Sequence, residues 1–134
     1  MIKNGFIVGI ATFVIGIGMS FLLQPLIPSL ALEYQNPALF RPWTDPLMTL
    51  FFAYPFIFGL VSAYLWSLVG KGFKGSDSSK AFQFAKTYFF IATIPGMFMS
   101  YTSFQVSFLM VLSWTVTGFV EAYVAGYILA RMNK

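Results

Sequence analysis

The sequence contains no cysteine and no histidine. The absence of cysteine excludes disulfides, thiolate metal sites and thiol redox chemistry. The absence of histidine removes the commonest metal ligand and the commonest acid–base group at neutral pH. The sequence also lacks a glycine-rich phosphate loop and a nucleophile paired with a base. We therefore expect no metal and no cofactor, we assign no catalytic residue, and an enzyme is the least favoured functional class.

Charge is scarce as well. Charged residues make up 9% of the chain and hydrophobic residues 58%, whereas soluble domains are about 25% charged and about 45–50% apolar. A small soluble domain could not bury this much apolar surface. The composition therefore predicts a protein whose solvent is the lipid bilayer. The net charge of +4 is better explained by orientation in that bilayer than by nucleic-acid binding.

The distribution of the charges predicts the membrane spans. Three long uncharged gaps are bounded by Lys3 and Glu33, by Asp45 and Lys71, and by Lys86 and Glu121. A bilayer core about 30 Å thick is crossed by about 20 helical residues, and the third gap contains more than one span, with a turn at 100–105. We predict an all-α polytopic protein with one membrane domain and four transmembrane helices, at 5–23, 46–69, 81–101 and 106–130. Pro55 and Pro95 then fall inside helices and are expected to kink them.

The basic residues predict the orientation. With four spans, seven of the eight fall on one side of the membrane and only Arg41 on the other; the seven are Lys3, Lys71, Lys74, Lys80, Lys86, Arg131 and Lys134. Because cytoplasmic loops are enriched in lysine and arginine, both termini and loop 70–80 are expected in the cytoplasm of a multi-pass cell-membrane protein.

The outer loop 24–45 is rich in proline and carries most of the polar side chains on that side, namely Glu33, Tyr34, Arg41, Trp43 and Asp45. Aromatic residues are enriched at membrane interfaces, so an interfacial loop anchored by Tyr34 and Trp43 is the favoured interpretation. A lid or a surface that docks a partner is the alternative.

A short internal repeat relates the second and fourth predicted helices. Residues 59–65 read GLVSAYL and residues 118–124 read GFVEAYV, which are identical at four of seven positions. The pattern favours two similar two-helix hairpins of the same orientation, as in parallel membrane repeats. Chance similarity is the alternative, because membrane sequences use few residue types. Small residues at every fourth position predict close helix packing at Gly59, Ala63, Gly118, Ala122 and Gly126.

Glu121 is the main candidate functional residue. It lies ten residues before Arg131, which at 1.5 Å per residue places it about 15 Å deep, near the bilayer midplane. A charge there is costly and usually functional, so Glu121 is expected to carry a proton or to be paired. The alternative is a carboxylic acid that is hydrogen-bonded to Thr117 or to a facing hydroxyl and serves packing alone. Ser113 and Thr117 share its helix face, the repeat places Ser62 opposite, and Lys86 is a candidate ion-pair partner.

Two classes of function follow. A small oligomeric transporter or channel would use Glu121 to bind a proton or a cation. A non-catalytic scaffold or accessory subunit of a larger membrane complex would explain the scarcity of reactive groups. In both cases the expected partners are the lipid bilayer and other membrane chains, as a homo-oligomer or a larger complex.

Overall fold

The computed structural model describes residues 1–133, and within these residues every regular element is helical and no strand is present. The predicted all-α class is therefore confirmed. Three helical segments are long and apolar enough to cross a membrane, namely Ile2–Leu26, Pro46–Gly72 and Phe108–Met132. Helices satisfy all their backbone hydrogen bonds internally, as the hydrocarbon interior requires.

The helices follow the chain in a simple order. The α-helices are α1 (Ile2–Leu26), α2 (Pro28–Tyr34), α3 (Tyr54–Val69), α4 (Asp77–Tyr88), α5 (Ile94–Ser103) and α6 (Phe108–Met132). A 3-10 helix, Pro46–Ala53, leads into α3, and a π-helical turn, Phe89–Thr93, joins α4 to α5. Residues 77–103 thus form one continuous helical run, which is more polar than the three apolar segments because it contains Lys80 and Lys86.

Pro55 and Pro95, the two prolines expected to kink helices, lie at changes of helix type and not in the middle of α-helices. Pro55 occupies the first turn of α3, directly after the 3-10 helix, and Pro95 occupies the first turn of α5, directly after the π-turn. Proline cannot donate a backbone hydrogen bond and clashes with the preceding turn. A local change in hydrogen-bond pattern accommodates both effects and keeps the run helical.

Helices α1 and α3 form the first hairpin and pack through glycine. A Cβ atom placed on Gly59 would lie 2.6 Å from the Gly9 nitrogen and would also collide with the Gly5 carbonyl oxygen. On the other helix, a Cβ on Gly9 would lie 2.9 Å from the Phe56 Cα atom. The two backbones are therefore in direct contact, which is how small residues bring helices together in lipid.

Helices α4 and α6 form the second hairpin, and aromatic rings join it to the first. Gly126 of α6 faces α4, where an added Cβ would lie 3.0 Å from the Cα of Ala81 and from the Cβ of Phe84. The ring of Phe84 in turn lies 5.7 Å from that of Trp66 on α3. Helix α6 is the centre of the bundle, because it packs against α1, α3, α4 and α5.

Candidate functional site

Glu121 lies near the middle of α6, and its side chain is only 8% exposed. Within residues 1–133 it has no hydrogen-bond partner, and the salt bridges there join Arg41 to Asp45 and Arg131 to Asp77. Ionisable groups at this depth of a membrane protein usually face the bundle interior and pair with other groups. Glu121 is buried as such residues are, but among residues 1–133 it has no hydrogen-bond or ion-pair partner.

Gly16 of α1 lies directly against the carboxyl group. A Cβ atom built on Gly16 would be 3.0 Å from the Glu121 Oε1 atom. A larger residue at this position would therefore occupy the space next to the carboxylate. The sequence marks Gly16 only as one of several small residues, so its role could not have been predicted without the packing of α1 on α6.

Two tyrosines from other helices belong to an aromatic cluster on the α3 and α4 side of α6. The hydroxyl groups of Tyr54 on α3 and Tyr88 on α4 lie within electrostatic range of the carboxylate. Both rings pack on Phe58, with centroid distances of 6.3 Å for Tyr54 and 5.3 Å for Tyr88. Sequence reasoning missed both residues. A possible signal is their position near the middle of a helical run, since tyrosine normally lies at the membrane interface.

The polar residues predicted to surround Glu121 do not bind it. Ser113 is buried, but its hydroxyl donates to the Met110 carbonyl oxygen of its own helix at 2.7 Å. Thr117 is half-buried, and no hydrogen bond joins it to Glu121 within the described chain. Ser62 is fully buried, and its Oγ atom has no hydrogen-bond partner among residues 1–133.

Lys86 is not paired with Glu121 within residues 1–133. Its side chain is exposed on α4, and exposure suits a long basic side chain that reaches towards the membrane interface. The candidate ion pair is therefore not formed among residues 1–133, and the exposed position agrees with a lysine that reaches to the interface.

The predicted packing residues divide into two groups. Gly59, Ala63, Ala122 and Gly126 are buried between helices. Gly118, which the sequence repeat aligns with Gly59, is only half-buried, and the nearest atom to an added Cβ would be the Thr93 Cγ2 atom at 4.0 Å. The two aligned glycines therefore lie in different surroundings.

Residues 28–45, which belong to the predicted outer loop and are called the outer segment below, are held on the second hairpin by side chains of α2. The Glu33 carboxylate accepts hydrogen bonds from both the backbone N–H and the hydroxyl of Ser107, each 2.6 Å long. Ser107 is the N-cap of α6, where the exposed N–H groups and the helix dipole favour a negative charge. Leu30 is 1% exposed and packs near Met110. The segment is thus a fixed part of the fold.

Aromatic contacts extend this attachment. Trp114 of α6 donates through Nε1 to the Tyr34 hydroxyl oxygen at 2.6 Å. Burial raises the pKa of the Tyr34 hydroxyl, and the nearby Glu33 charge adds to the rise while the Trp114 hydrogen bond opposes it. Trp43, in contrast, is 68% exposed beside Phe51, with ring centroids 5.8 Å apart. This position suits an interfacial anchor.

Two surface clefts lie at the end of the bundle where α5 turns into α6. The larger, about 430 Å³, lies between the outer segment and the turn from α5 to α6, and its lining includes Phe40, Ser100, Gln105 and Trp114. The smaller, about 240 Å³, lies between α5 and α6 and is almost entirely apolar. Glu121 lines neither of these two clefts.

No protein-family model, no curated protein and no solved structure matches this sequence. The function is therefore inferred from the residues and their arrangement.

Proposed function

We propose that this chain is a small transporter or channel that works as an oligomer and uses Glu121 to bind a proton or a cation within the membrane. The observation that carries the proposal is the carboxyl group itself, which is 8% exposed near the middle of α6 and forms no hydrogen bond and no ion pair among residues 1–133. The carboxyl group fits against α1 because position 16 is a glycine, where an added Cβ would lie 3.0 Å from the Oε1 atom.

The energetic argument favours reversible binding. A carboxylate at the bilayer centre costs at least about 2.5–3.5 kcal/mol on insertion scales. A proton or a bound cation removes that cost, and the uncompensated carboxylate therefore has affinity for either. A purely structural glutamate would be expected to accept hydrogen bonds from neighbouring helices, and Glu121 accepts none within the described residues.

The proposed topology has four spans, with residues 77–103 as the third. This run contains 27 residues, enough to cross the bilayer core at 1.5 Å per residue. Both termini would then be cytoplasmic in the cell membrane. Single cysteines can be introduced as Asn36→Cys and Ser76→Cys and treated in intact cells with an impermeant maleimide. Labelling at 36 alone is expected, and labelling at 76 alone would reverse the orientation.

The two hairpins would then be parallel repeats, and further copies of the chain would pack alongside them. Gly18 and Gly96 support the oligomer, because an added Cβ at either position meets no atom within 4 Å. Exposed glycines of this kind allow the backbone of a neighbouring helix to approach closely.

Proton movement through the purified protein tests the function. The chain is reconstituted in vesicles that contain a pH-sensitive dye, and a potassium diffusion potential, negative inside, is imposed with valinomycin. Acidification of the lumen is expected for the wild type and for Glu33→Gln, and it should be lost in Glu121→Gln. Each variant must first elute as a folded species in detergent. Equal acidification by Glu121→Gln would refute the proposal, and the same flux can be measured with sodium or potassium as the driven ion.

An accessory subunit is the second candidate, and one observation favours it. Neither surface cleft includes Glu121, as expected if the carboxyl group only fills space between helices. Purification from its native membrane in a mild detergent discriminates between the two classes. A stable complex with other membrane chains, together with tolerance of Glu121→Gln, would support the accessory role.

A further inference from the structure

Basic side chains are concentrated at one end of the helix bundle. The Asn4 side chain donates to the Asn133 side chain at 3.4 Å, so α1 begins beside the end of α6. The Arg131 Nε atom lies 3.8 Å from the Asp77 carboxylate at the start of α4. Within residues 1–133 this end has one acidic residue, Asp77, and the basic residues Lys3, Lys71, Lys74, Lys80 and Arg131. The excess of basic residues makes this end positive.

The opposite end of the bundle has no such excess. Within the described chain Arg41 is its one basic residue, and its guanidinium group lies 2.9 Å from the Asp45 carboxylate. Glu33 adds a second carboxylate there, hydrogen-bonded to Ser107 at the start of α6. A negatively charged surface is therefore attracted to the first end of the bundle and not to the second.

Residues 70–76, called the basic loop below, join α3 to α4 and are fixed to the bundle by an aromatic ring. Phe73 is half-buried, and its ring centroid lies 5.6 Å from that of Trp66 on α3 and 6.5 Å from that of Phe84 on α4. The loop therefore has a defined position relative to both helices. A site that is already ordered pays a smaller entropic cost when a ligand binds.

Hydrogen bonds also hold the backbone of the basic loop at Lys74. Its carbonyl oxygen accepts from the Gln83 side-chain N–H at 2.8 Å and from the Ser79 hydroxyl at 3.2 Å. Lys71 and Lys74 are exposed, and neither belongs to a salt bridge within residues 1–133. The loop thus presents two uncompensated positive charges on an ordered backbone.

An exposed apolar strip on α3 leads to Lys71. Val61, Tyr64 and Leu68 are 51%, 55% and 63% exposed, and the chain stays helical through the 3-10 turn Gly70–Gly72, which contains Lys71. Residues three and four positions apart lie on one face of a helix, so the strip ends at this lysine. A phospholipid has the same order of groups, because its acyl chains are followed by a phosphate.

We propose that the basic loop and the exposed face of α3 bind an anionic phospholipid of the adjacent leaflet. Its phosphate lies against Lys71 and Lys74, and an acyl chain lies along Leu68 and Tyr64. Basic clusters next to membrane spans attract anionic lipids, whereas a zwitterionic headgroup carries no net charge for the lysines to attract. This inference is independent of the proposed function, because it involves neither Glu121 nor ion movement.

Native mass spectrometry of the purified chain in detergent micelles tests the site. The probes are palmitoyl-oleoyl phosphatidylglycerol, which is anionic, and palmitoyl-oleoyl phosphatidylcholine, which is zwitterionic, and the Kd of the first bound lipid is measured for each. Phosphatidylglycerol is expected to bind about 5- to 25-fold more tightly, because each lysine near an anionic headgroup contributes about a factor of five. The double variant Lys71→Gln/Lys74→Gln should lose most of this preference and keep the affinity for phosphatidylcholine.

Two further double variants separate a local site from the general positive charge of this end. Lys3→Gln/Lys86→Gln removes two exposed lysines outside the basic loop and should keep most of the preference. Lys71→Arg/Lys74→Arg keeps both charges and should bind phosphatidylglycerol like the wild type. If the loop double variant does not fold, Lys71→Gln and Lys74→Gln are measured singly, and each should lower the preference about fivefold.

Three results would overturn the proposal. The first is equal affinity of the wild type for the two lipids, and the second is an equal loss of preference in Lys3→Gln/Lys86→Gln and in the loop double variant. The third is displacement of phosphatidylglycerol by glycerol 1-phosphate at concentrations similar to those of the lipid, which would indicate a site for soluble phosphates. A preference that depends on Lys71 and Lys74 and resists glycerol 1-phosphate would support the lipid site.

Discussion

The two hairpins of this molecule join their helices in different ways. In the first, glycine faces glycine: Gly59 of α3 lies on Gly5 and Gly9 of α1, and backbone touches backbone. In the second, Gly126 of α6 faces Ala81 and the Cβ of Phe84 on α4. In lipid, where helix association relies on van der Waals packing, the first arrangement has less room for any added atom. Similar sequence in the two halves thus does not mean an equal tolerance of substitution.

The largest expected effect follows from the two aligned glycines. Gly59→Ala should destabilise the fold by about 1–3 kcal/mol, because the new Cβ would collide with backbone atoms that cannot rotate away. Gly118→Ala should be neutral or stabilising by up to about 1 kcal/mol, because alanine is the better helix former and the site is open. Unfolding in sodium dodecyl sulfate, followed by far-ultraviolet circular dichroism, measures both. Equal losses at the two positions would contradict the difference between the hairpins.

The second hairpin should show an intermediate response. At Gly126 an added Cβ would lie 3.0 Å from its neighbours on α4, a tight but adjustable distance. Gly126→Ala is expected to cost near the lower end of about 1–3 kcal/mol, less than Gly59→Ala. Gly18→Ala is the control, since nothing lies within 4 Å of that position. The same unfolding experiment applies, and a loss at Gly126 larger than at Gly59 would reverse the proposed order.

The start of α6 distinguishes the hairpins further, because Ser107 there binds the Glu33 carboxylate of the outer segment. Ser107→Ala should cost about 0.5–2 kcal/mol through loss of the helix cap. Glu33→Gln should keep the cap and weaken the attachment of the segment. Hydrogen exchange of residues 28–45, measured by mass spectrometry, is expected to increase in both variants. Unchanged exchange would mean that the apolar contacts of Leu30 hold the segment without this hydrogen-bonded pair.

The smallest expected effect lies at Asp45, which caps the 3-10 helix of the first hairpin as Ser107 caps α6 of the second. The Leu47 backbone N–H and then Arg41 lower the pKa of the Asp45 carboxyl below its usual 3.8. Because the pKa of Asp45 is lower in the folded chain, the Asp45 carboxylate stabilises the fold fully at pH values above its pKa in the unfolded chain. This stabilisation is lost as the pH falls through the pKa in the folded chain. The Leu47 amide resonance should therefore shift only below about pH 4. Asp45→Asn should abolish that shift, and a midpoint above 4.5 would contradict the assignment.

Much of the fold was predictable because it depends on local requirements. A helix in lipid satisfies its own backbone and needs an apolar run of sufficient length, so composition and charge spacing predicted the all-helical class and the apolar segments. The burial of Glu121 followed from its distance to Arg131 along the same helix. The changes of helix type before Pro55 and Pro95 did not follow, since a kinked α-helix would accommodate proline equally well.

The residues next to Glu121 could not be predicted, because they depend on how the other helices pack against α6. Ser113 was expected to lie beside the Glu121 carboxylate because both residues share a helix face. Its hydroxyl donates instead to the Met110 carbonyl oxygen in the preceding turn of α6, a local hydrogen bond that serine side chains commonly form in helices. Gly16, Tyr54 and Tyr88 come from three other helical runs. Their proximity to Glu121 depends on how far each helix is rotated and shifted, which the glycine contacts between α1 and α3 help to determine.

The sequence by itself thus determined that the chain is helical and apolar, and that one carboxylate lies deep within it, because these properties belong to single segments. Only the tertiary structure decided that Glu121 lies against Gly16 and is not paired with Lys86 among residues 1–133, and that the outer segment is fastened to α6 through Glu33. These contacts join residues far apart in the chain, and their geometry is set by the close packing of one helix on another, which no single segment encodes.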